Sequence, residues 1–186
     1  MPINGTLLTF DFAASTGFAV GEPGGLPTFG THVFSSTGAD LGTHLGQIEE
    51  FCRLALIREQ PVLVGFEQPS LFIKTTPTTV VKLACYGPAL EKQCSKRYGL
   101  NIRVRQINPS DVCMFWCGRG MKGQAKKDEF VRIAKLLGFA VSNDDEADAI
   151  ACWFYMVHCF GSPEERRRFE QMRFEVGMGR AQKAVL

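Results

Sequence analysis

Two apolar runs of strand length each end in a carboxylate: Leu7-Leu8-Thr9-Phe10-Asp11 and Val62-Leu63-Val64-Gly65-Phe66-Glu67. A continuous apolar run of this length reads as a strand buried on both faces, so each acid is delivered to a sheet rim. After the first run come the small residues of Ala13-Ala14-Ser15-Thr16-Gly17, and Gly17 to Gly21 predicts a return strand. The Pro/Gly-rich segment 22–30 then reads as a hairpin loop, and Thr31 to Ser35 as a third strand of a meander. Leu41, Leu45, Ile48, Cys52, Ala55 and Leu56 recur at helical spacing, which predicts a helix from Leu41 to Arg58 that Pro61 stops.

Beyond Glu67 the pattern changes. Pro69 restricts the residue before it, so Gln68-Pro69-Ser70 is non-helical, and Leu71 to Thr76 reads as an exposed loop. Pro77 suits the first turn of a helix running to about Tyr98, with a kink expected at Gly87-Pro88. Ile102 to Gln106 alternates apolar and polar, a strand with one basic, wet face. Asn108-Pro109-Ser110-Asp111 opens a short helix, and 118–123 is a basic glycine-rich loop. A helix is then predicted from Lys126 to Leu137, with Phe130, Val131, Ala134 and Leu137 inward and Gly138 at its end. Asn143 can cap a further helix to about Cys159, with Glu146 three residues on as in a capping box. A charged helix from Pro163 to about Val176 and a frayed Gly/Ala/Lys tail close the chain. Three strands, helix, strand, helix, strand, helices: the order predicts the α/β class, a mixed five-stranded sheet with helices on both faces.

With 186 residues, 45% of them hydrophobic, the chain is expected to form one domain, its main body 1–160 and a C-terminal helix and tail 161–186 packed as part of it. The formal charge of +2 announces no nucleic-acid partner, but its distribution does more. Between 92 and 127, Lys92, Lys96, Arg97, Arg103, Arg105, Arg119, Lys122, Lys126 and Lys127 face the single acid Asp111. No signal peptide or membrane span is visible, so the protein is expected in the cytoplasm with no membrane partner. The seven cysteines form no CxxC pair and most sit among apolar neighbours, so they read as buried free thiols and not as a zinc site.

Two further acids, Asp145 and Asp148, lie three residues apart and share one helix face. With Asp11 and Glu67 they make four carboxylates from three distant segments. Each has a plain alternative: Asp11 as a turn residue, Asp145 and Asp148 as complements of a helix dipole. Taken together they suit a divalent cation, because Mg²⁺ takes oxygen donors from a few carboxylates plus a substrate phosphate. Two such ions about 4 Å apart serve phosphodiester hydrolysis.

At this point the chain resembles the RuvC-type Holliday junction resolvases of the RNase H-like superfamily. The resemblance rests on Thr9-Phe10-Asp11 with Thr16-Gly17, Gly65-Phe66-Glu67-Gln68, Val81-Lys82-Leu83, Asn108 to Val112, Gly120 to Lys127, and Asp145-Glu146-Ala147-Asp148-Ala149. The last piece is the most specific. Where the family has Pro-Gly after its first aspartate, this chain has Phe12-Ala13, and its C-terminal helix is longer than in the bacterial enzymes, which suits a phage or divergent member.

The resemblance implies an RNase H-like fold and a metal-dependent endonuclease that resolves four-way DNA junctions by paired symmetric nicks. It implies two Mg²⁺ or Mn²⁺ ions on Asp11, Glu67, Asp145 and Asp148, and a homodimer through the helix that begins near Pro77. It also implies a lysine at the scissile phosphate, Lys127 or, with a one-residue shift, Lys126. The stripe Phe130, Val131, Ala134 favours Lys127. Phe72 is expected to stack on unpaired bases, and Lys74, Arg103, Arg105, Arg119, Lys122 and Lys126 to contact DNA. The alternatives are a nuclease for other branched DNA or structured RNA, a sugar-kinase-like phosphotransferase, for which the chain is short, and a nucleic-acid-binding module without catalysis.

Overall fold

The computed structural model describes residues 3–38, 40–68, 76–96 and 102–183. Strand β1 (Leu7–Asp11) is the middle of a five-stranded sheet whose order is β3-β2-β1-β4-β5. β2 (Ser15–Gly21) and β3 (Thr28–Val33) form the antiparallel meander, while β4 (Leu63–Glu67) and β5 (Arg103–Ile107) run parallel to β1. Both carboxylate-ending runs are thus central strands, and Leu7 and Leu63 at their starts are almost fully buried.

Alternation along β1 and β4 divides the core in two. Leu8, Phe10, Val64 and Phe66 face α1 (Leu41–Glu59) and α2 (Pro77–Ser95), where Ile48, Cys52, Leu56, Tyr86 and Leu90 cover them. Leu7 and Leu63 face α5 (Asp144–Phe160), and around it pack α3 (Pro109–Cys117), α4 (Gly123–Leu136) and α6 (Pro163–Lys183). α5 is therefore buried nearly all round, as its run Ala147 to Phe154 requires. Phe169 anchors α6 by stacking on Phe154, ring centres 4.5 Å apart.

The helix ends follow their capping residues. Asp40 accepts from Thr43 N, Asn108 from Ser110 N and Asn143 from Glu146 N. Glu146 closes back one residue earlier than a capping box, taking the N–H of Ser142 at 2.7 Å. α2 continues through Pro88, and Gly87 lets Phe66 lie against the helix, since a Cβ there would stand 2.9 Å from its ring. α4 begins three residues before the expected Lys126, because Gln124 and Ala125 are good helix formers. Both lysines thus sit a turn inside the helix, away from its positive end. α6 runs past Val176 to Lys183.

Candidate active site

The parallel register of β1 and β4, Phe10 against Phe66, sets Asp11 and Glu67 side by side at the carboxyl rim. Their side chains follow Leu7 and Leu63 to the α5 face. α5 can cross that face closely for two reasons. Thr9, fully buried, donates its hydroxyl to the Ala149 carbonyl at 3.1 Å, tying helix to strand. Gly17 on β2 has no side chain where the Asp145 carbonyl oxygen passes, 2.0 Å from where a Cβ would be. The first turns of α5 therefore lie over the rim, and Asp145 and Asp148 join the two strand acids.

Glu67 and Asp148 are 8% and 7% exposed, and carboxylates so buried call for polar or charged partners. Lys126 is one: its Nζ stands 3.6 Å from Glu67 Oε1 and 3.5 Å from Asp148 Oδ1, over the Phe130 ring at 4.6 Å. Burial would lower this lysine's pKa, but Asp148, Glu67 and Asp11 outweigh it and hold the ammonium above its ordinary range. The acids remain crowded. Burial, then Glu67 and Asp148, push Asp11 well above the carboxylate range, and burial with Glu67's charge pushes Asp148 up to about 7 despite Lys126. Asp145, half-buried, is held by the Ser15 hydroxyl, which donates to its Oδ2.

Among the described residues no three His, Cys, Asp or Glu side chains stand at the spacing of a formed metal site. The acids face Lys126 and one another across a wider gap. Their chemistry nevertheless fits a divalent cation. All four offer hard oxygens, buried Asp148 Oδ1 accepts no hydrogen bond at ordinary distance, and the burial and like-charge crowding that raise the Asp11 and Asp148 pKa values are what a cation offsets.

Of the two adjacent lysines, Lys126 is the one among the acids. Lys127 is exposed and pairs with Asp144, and Asp148 and Asp145 act on it only at longer range. The buried stripe of α4 is Phe130, Ile133 and Ala134, with Val131 only partly covered. Extended back one turn it reaches position 126, whereas a stripe through Val131 points to 127. Arg119 and Lys122 stand exposed on the loop that leads into α4. Arg103 and Arg105 lie elsewhere: β5 reaches the rim at Ile107, so Arg103 sits about 13 Å down the strand. Arg105 lies 5.9 Å from the ring centre of Phe160, at the far end of α5. Phe72, Lys74 and Arg97 fall outside the described residues.

Three supporting residues escaped the sequence reading. Cys152 donates its thiol to Glu67 Oε2 at 3.5 Å. It continues the spacing Asp145, Asp148 by one helical turn, a signal that was present but read as core. Ser15 and Thr9 carry no pattern of their own, because their partners lie 130 and 140 residues away.

No protein-family model and no curated protein sequence matches the chain. Solved structures do. RuvC of Thermus thermophilus in complex with a Holliday junction substrate matches with a TM-score of 0.62 at 18% identity, over 84% of this chain and 94% of that one. A second Thermus thermophilus RuvC structure gives 0.58 at 18% identity, over 83% and 93%. The yeast mitochondrial Holliday junction resolvase Ydc2 gives 0.56 at 11% identity, over 78% and 75%. With the acids at the rim of a β3-β2-β1-β4-β5 sheet, this chain has the RNase H-like α/β fold in the form that RuvC and the mitochondrial resolvase share.

Proposed function

We propose that this protein is a metal-dependent endonuclease that cuts branched DNA, with the four-way junction as its substrate. The observation that carries the reading is the convergence of Asp11, Glu67 and Asp148 around the Lys126 ammonium at one sheet rim, with Asp145 close enough to act on Asp11. The fold supports it, since a structural neighbour holds a Holliday junction substrate. Asp11, Glu67, Asp145 and Asp148 are the residues to hold Mg²⁺ or Mn²⁺. Two such ions, when bound, supply an activated water and charge neutralisation at the leaving oxygen. The chain's own part is to fix the carboxylates: Ser15 orients Asp145, Cys152 orients Glu67, and the Thr9 bond sets the height of α5. Lys126 offers a cation beside the acids for the charge that develops on a phosphate.

This separates the two lysines. Lys126→Ala is expected to lower the cleavage rate by about 10²-fold, the scale of one lost charge-stabilising donor. Lys127→Ala, which breaks a half-exposed ion pair with Asp144 and a weaker longer-range attraction to Asp148 and Asp145, is expected to change it by less than about threefold. Equal losses in single-turnover assays would contradict the assignment.

Arg119 and Lys122 are the candidates for backbone phosphates beside the cleft. Replacing both by Ala is expected to reduce the slope of log affinity against log salt by about 1.8 on duplex arms, about 0.9 per phosphate contact. Arg103→Ala with Arg105→Ala is expected to leave it nearly unchanged, because both lie away from the rim.

A junction presents two equivalent strands, so paired nicks call for a two-fold homodimer. The row Val81, Ala84 and Pro88 on α2 is apolar and exposed, and a second copy would cover it. Tyr86, Ala89 and Leu90 of the same helix are buried within the protomer, so they are not available to that interface. Light scattering of wild type and Val81→Glu tests the pairing, with loss of the dimer expected in the variant.

A further inference from the structure

A cavity of about 230 Å³ opens between the first turns of α1 and α2, on the sheet face opposite the acids. Its floor holds His44, which is 5% exposed, and neither ring nitrogen has a hydrogen-bond partner among the described residues. An imidazole always carries at least one N–H donor, and leaving such a group unpaired in the interior costs about 1–3 kcal/mol. Buried polar groups in folded chains are paired almost without exception, so a partner beyond the described residues is indicated. Phe34 and Tyr86 hold the ring in place, with centroids 6.1 and 5.6 Å from it.

The surroundings select an anion. Among the described residues Lys82 is the one charged residue on the wall, and its ammonium donates to Thr37 Oγ1 at 2.8 Å and to the Gly38 carbonyl at 2.7 Å. An ammonium has three donors, so one remains for a ligand. Thr79 and Ser36 add hydroxyls at the mouth, and no carboxylate among the described residues lines the cavity. Asp40, the α1 cap, is engaged by Thr43 through both oxygens and feels the Lys82 charge only as a weaker, longer-range effect. α1 and α2 both begin here, each with the partial positive charge of a helix start. Burial, then Lys82, hold the His44 pKa below its usual value, a setting that a bound anion would offset.

We infer that this cavity is a binding site for one backbone phosphate of a nucleic-acid strand, held by His44 and Lys82. The choice of a strand over a free ion rests on the nuclease reading above and on where the cavity lies. Ala14 forms part of its wall, Tyr86 donates to the Ala13 carbonyl at 2.9 Å, and Phe34 N donates to the Ala14 carbonyl at 3.0 Å. Those two residues belong to the turn that follows Asp11. A strand with one phosphate among the acids and another in this cavity would cross the rim over that turn, which fixes its direction through the site.

The test follows the His44 imidazole resonance by ¹H–¹³C NMR, assigned with His44→Gln, in chelator and at constant chloride. Inorganic phosphate and a single-stranded hexanucleotide are titrated into wild type and into Lys82→Gln, whose folding is checked by its melting temperature. Both probes are expected to move the resonance, the hexanucleotide at lower concentration, with affinity about tenfold weaker in Lys82→Gln. A resonance unmoved by either probe overturns the site. Movement with phosphate alone overturns the assignment to a nucleic-acid strand, and an unchanged affinity in Lys82→Gln overturns the role of Lys82. Cleavage is not read, so a protein that cuts no branched DNA yet shows these shifts contradicts the nuclease proposal and leaves the cavity's assignment standing.

Discussion

Asp148→Asn is expected to abolish cleavage, by roughly 10³-fold or more, and at the same time to make the metal-free protein more stable at pH 8. The first effect follows from removing a charge that would hold the metal at the reacting phosphate. The second follows from crowding. The Asp148 pKa is raised to about 7 by burial and by Glu67. In the unfolded chain the same group titrates near pH 4. Between about pH 4 and pH 7 the folded state therefore binds more protons than the unfolded state, and stability falls as pH rises through that window. Asn carries no charge and escapes the loss. The expected gain, read by urea unfolding in chelator, is on the order of 4 kcal/mol at pH 8 and close to nothing at pH 4. A variant that loses activity and is also less stable at pH 8 would mean that Asp148 serves the fold, through Lys126, and not a metal.

Gly17→Val is the change expected to damage the site most without touching an acid. A Cβ at position 17 would stand 2.0 Å from the Asp145 carbonyl oxygen and 2.6 Å from its carbon, both backbone atoms of the first turn of α5. No rotamer change relieves that contact, so the helix must lift away from β2. The expected cost is about 3 kcal/mol or more, with Asp145 displaced from Ser15 and cleavage lost. Gly24, which has nothing within 4 Å of its Cβ position, is the control: Gly24→Ala is expected to unfold at the wild-type urea concentration. If Gly17→Val unfolds there too, α5 does not depend on this approach.

Strands β1 and β4 and their terminal acids were legible in the sequence because an apolar run closed by a carboxylate is a local pattern, and local patterns survive folding. The pair Asp145 and Asp148 was legible for the same reason, as one face of one helix. What connects these pieces is not local. Which lysine enters the cleft depended on whether Val131 or Ile133 faces the core, a rotation of α4 that several apolar neighbours left ambiguous. Arg103 and Arg105 alternate as a basic strand face should, but their distance from the rim is set by the β4–β5 register, Leu63 against Arg103, which no spacing within β5 reveals. His44 was passed over because a histidine does not count toward an apolar stripe, although it occupies a buried position of α1 alongside Ile48 and Cys52. Tyr86 belongs to the helix expected at the interface, yet it lies in the protomer core, where its ring stacks on Phe12 at 5.0 Å.

The measurement that bears most directly on the central claim is strand cleavage by the purified protein in Mg²⁺, across a matched set of a four-way junction, a fork, a linear duplex and a structured RNA. The account expects the four-way junction to be cut fastest, with nicks at symmetric positions on two strands of like polarity, and expects no cutting in chelator or with Asp11→Asn. Preferential cutting of the RNA, or cutting of the junction that survives both chelator and Asp11→Asn, would contradict it.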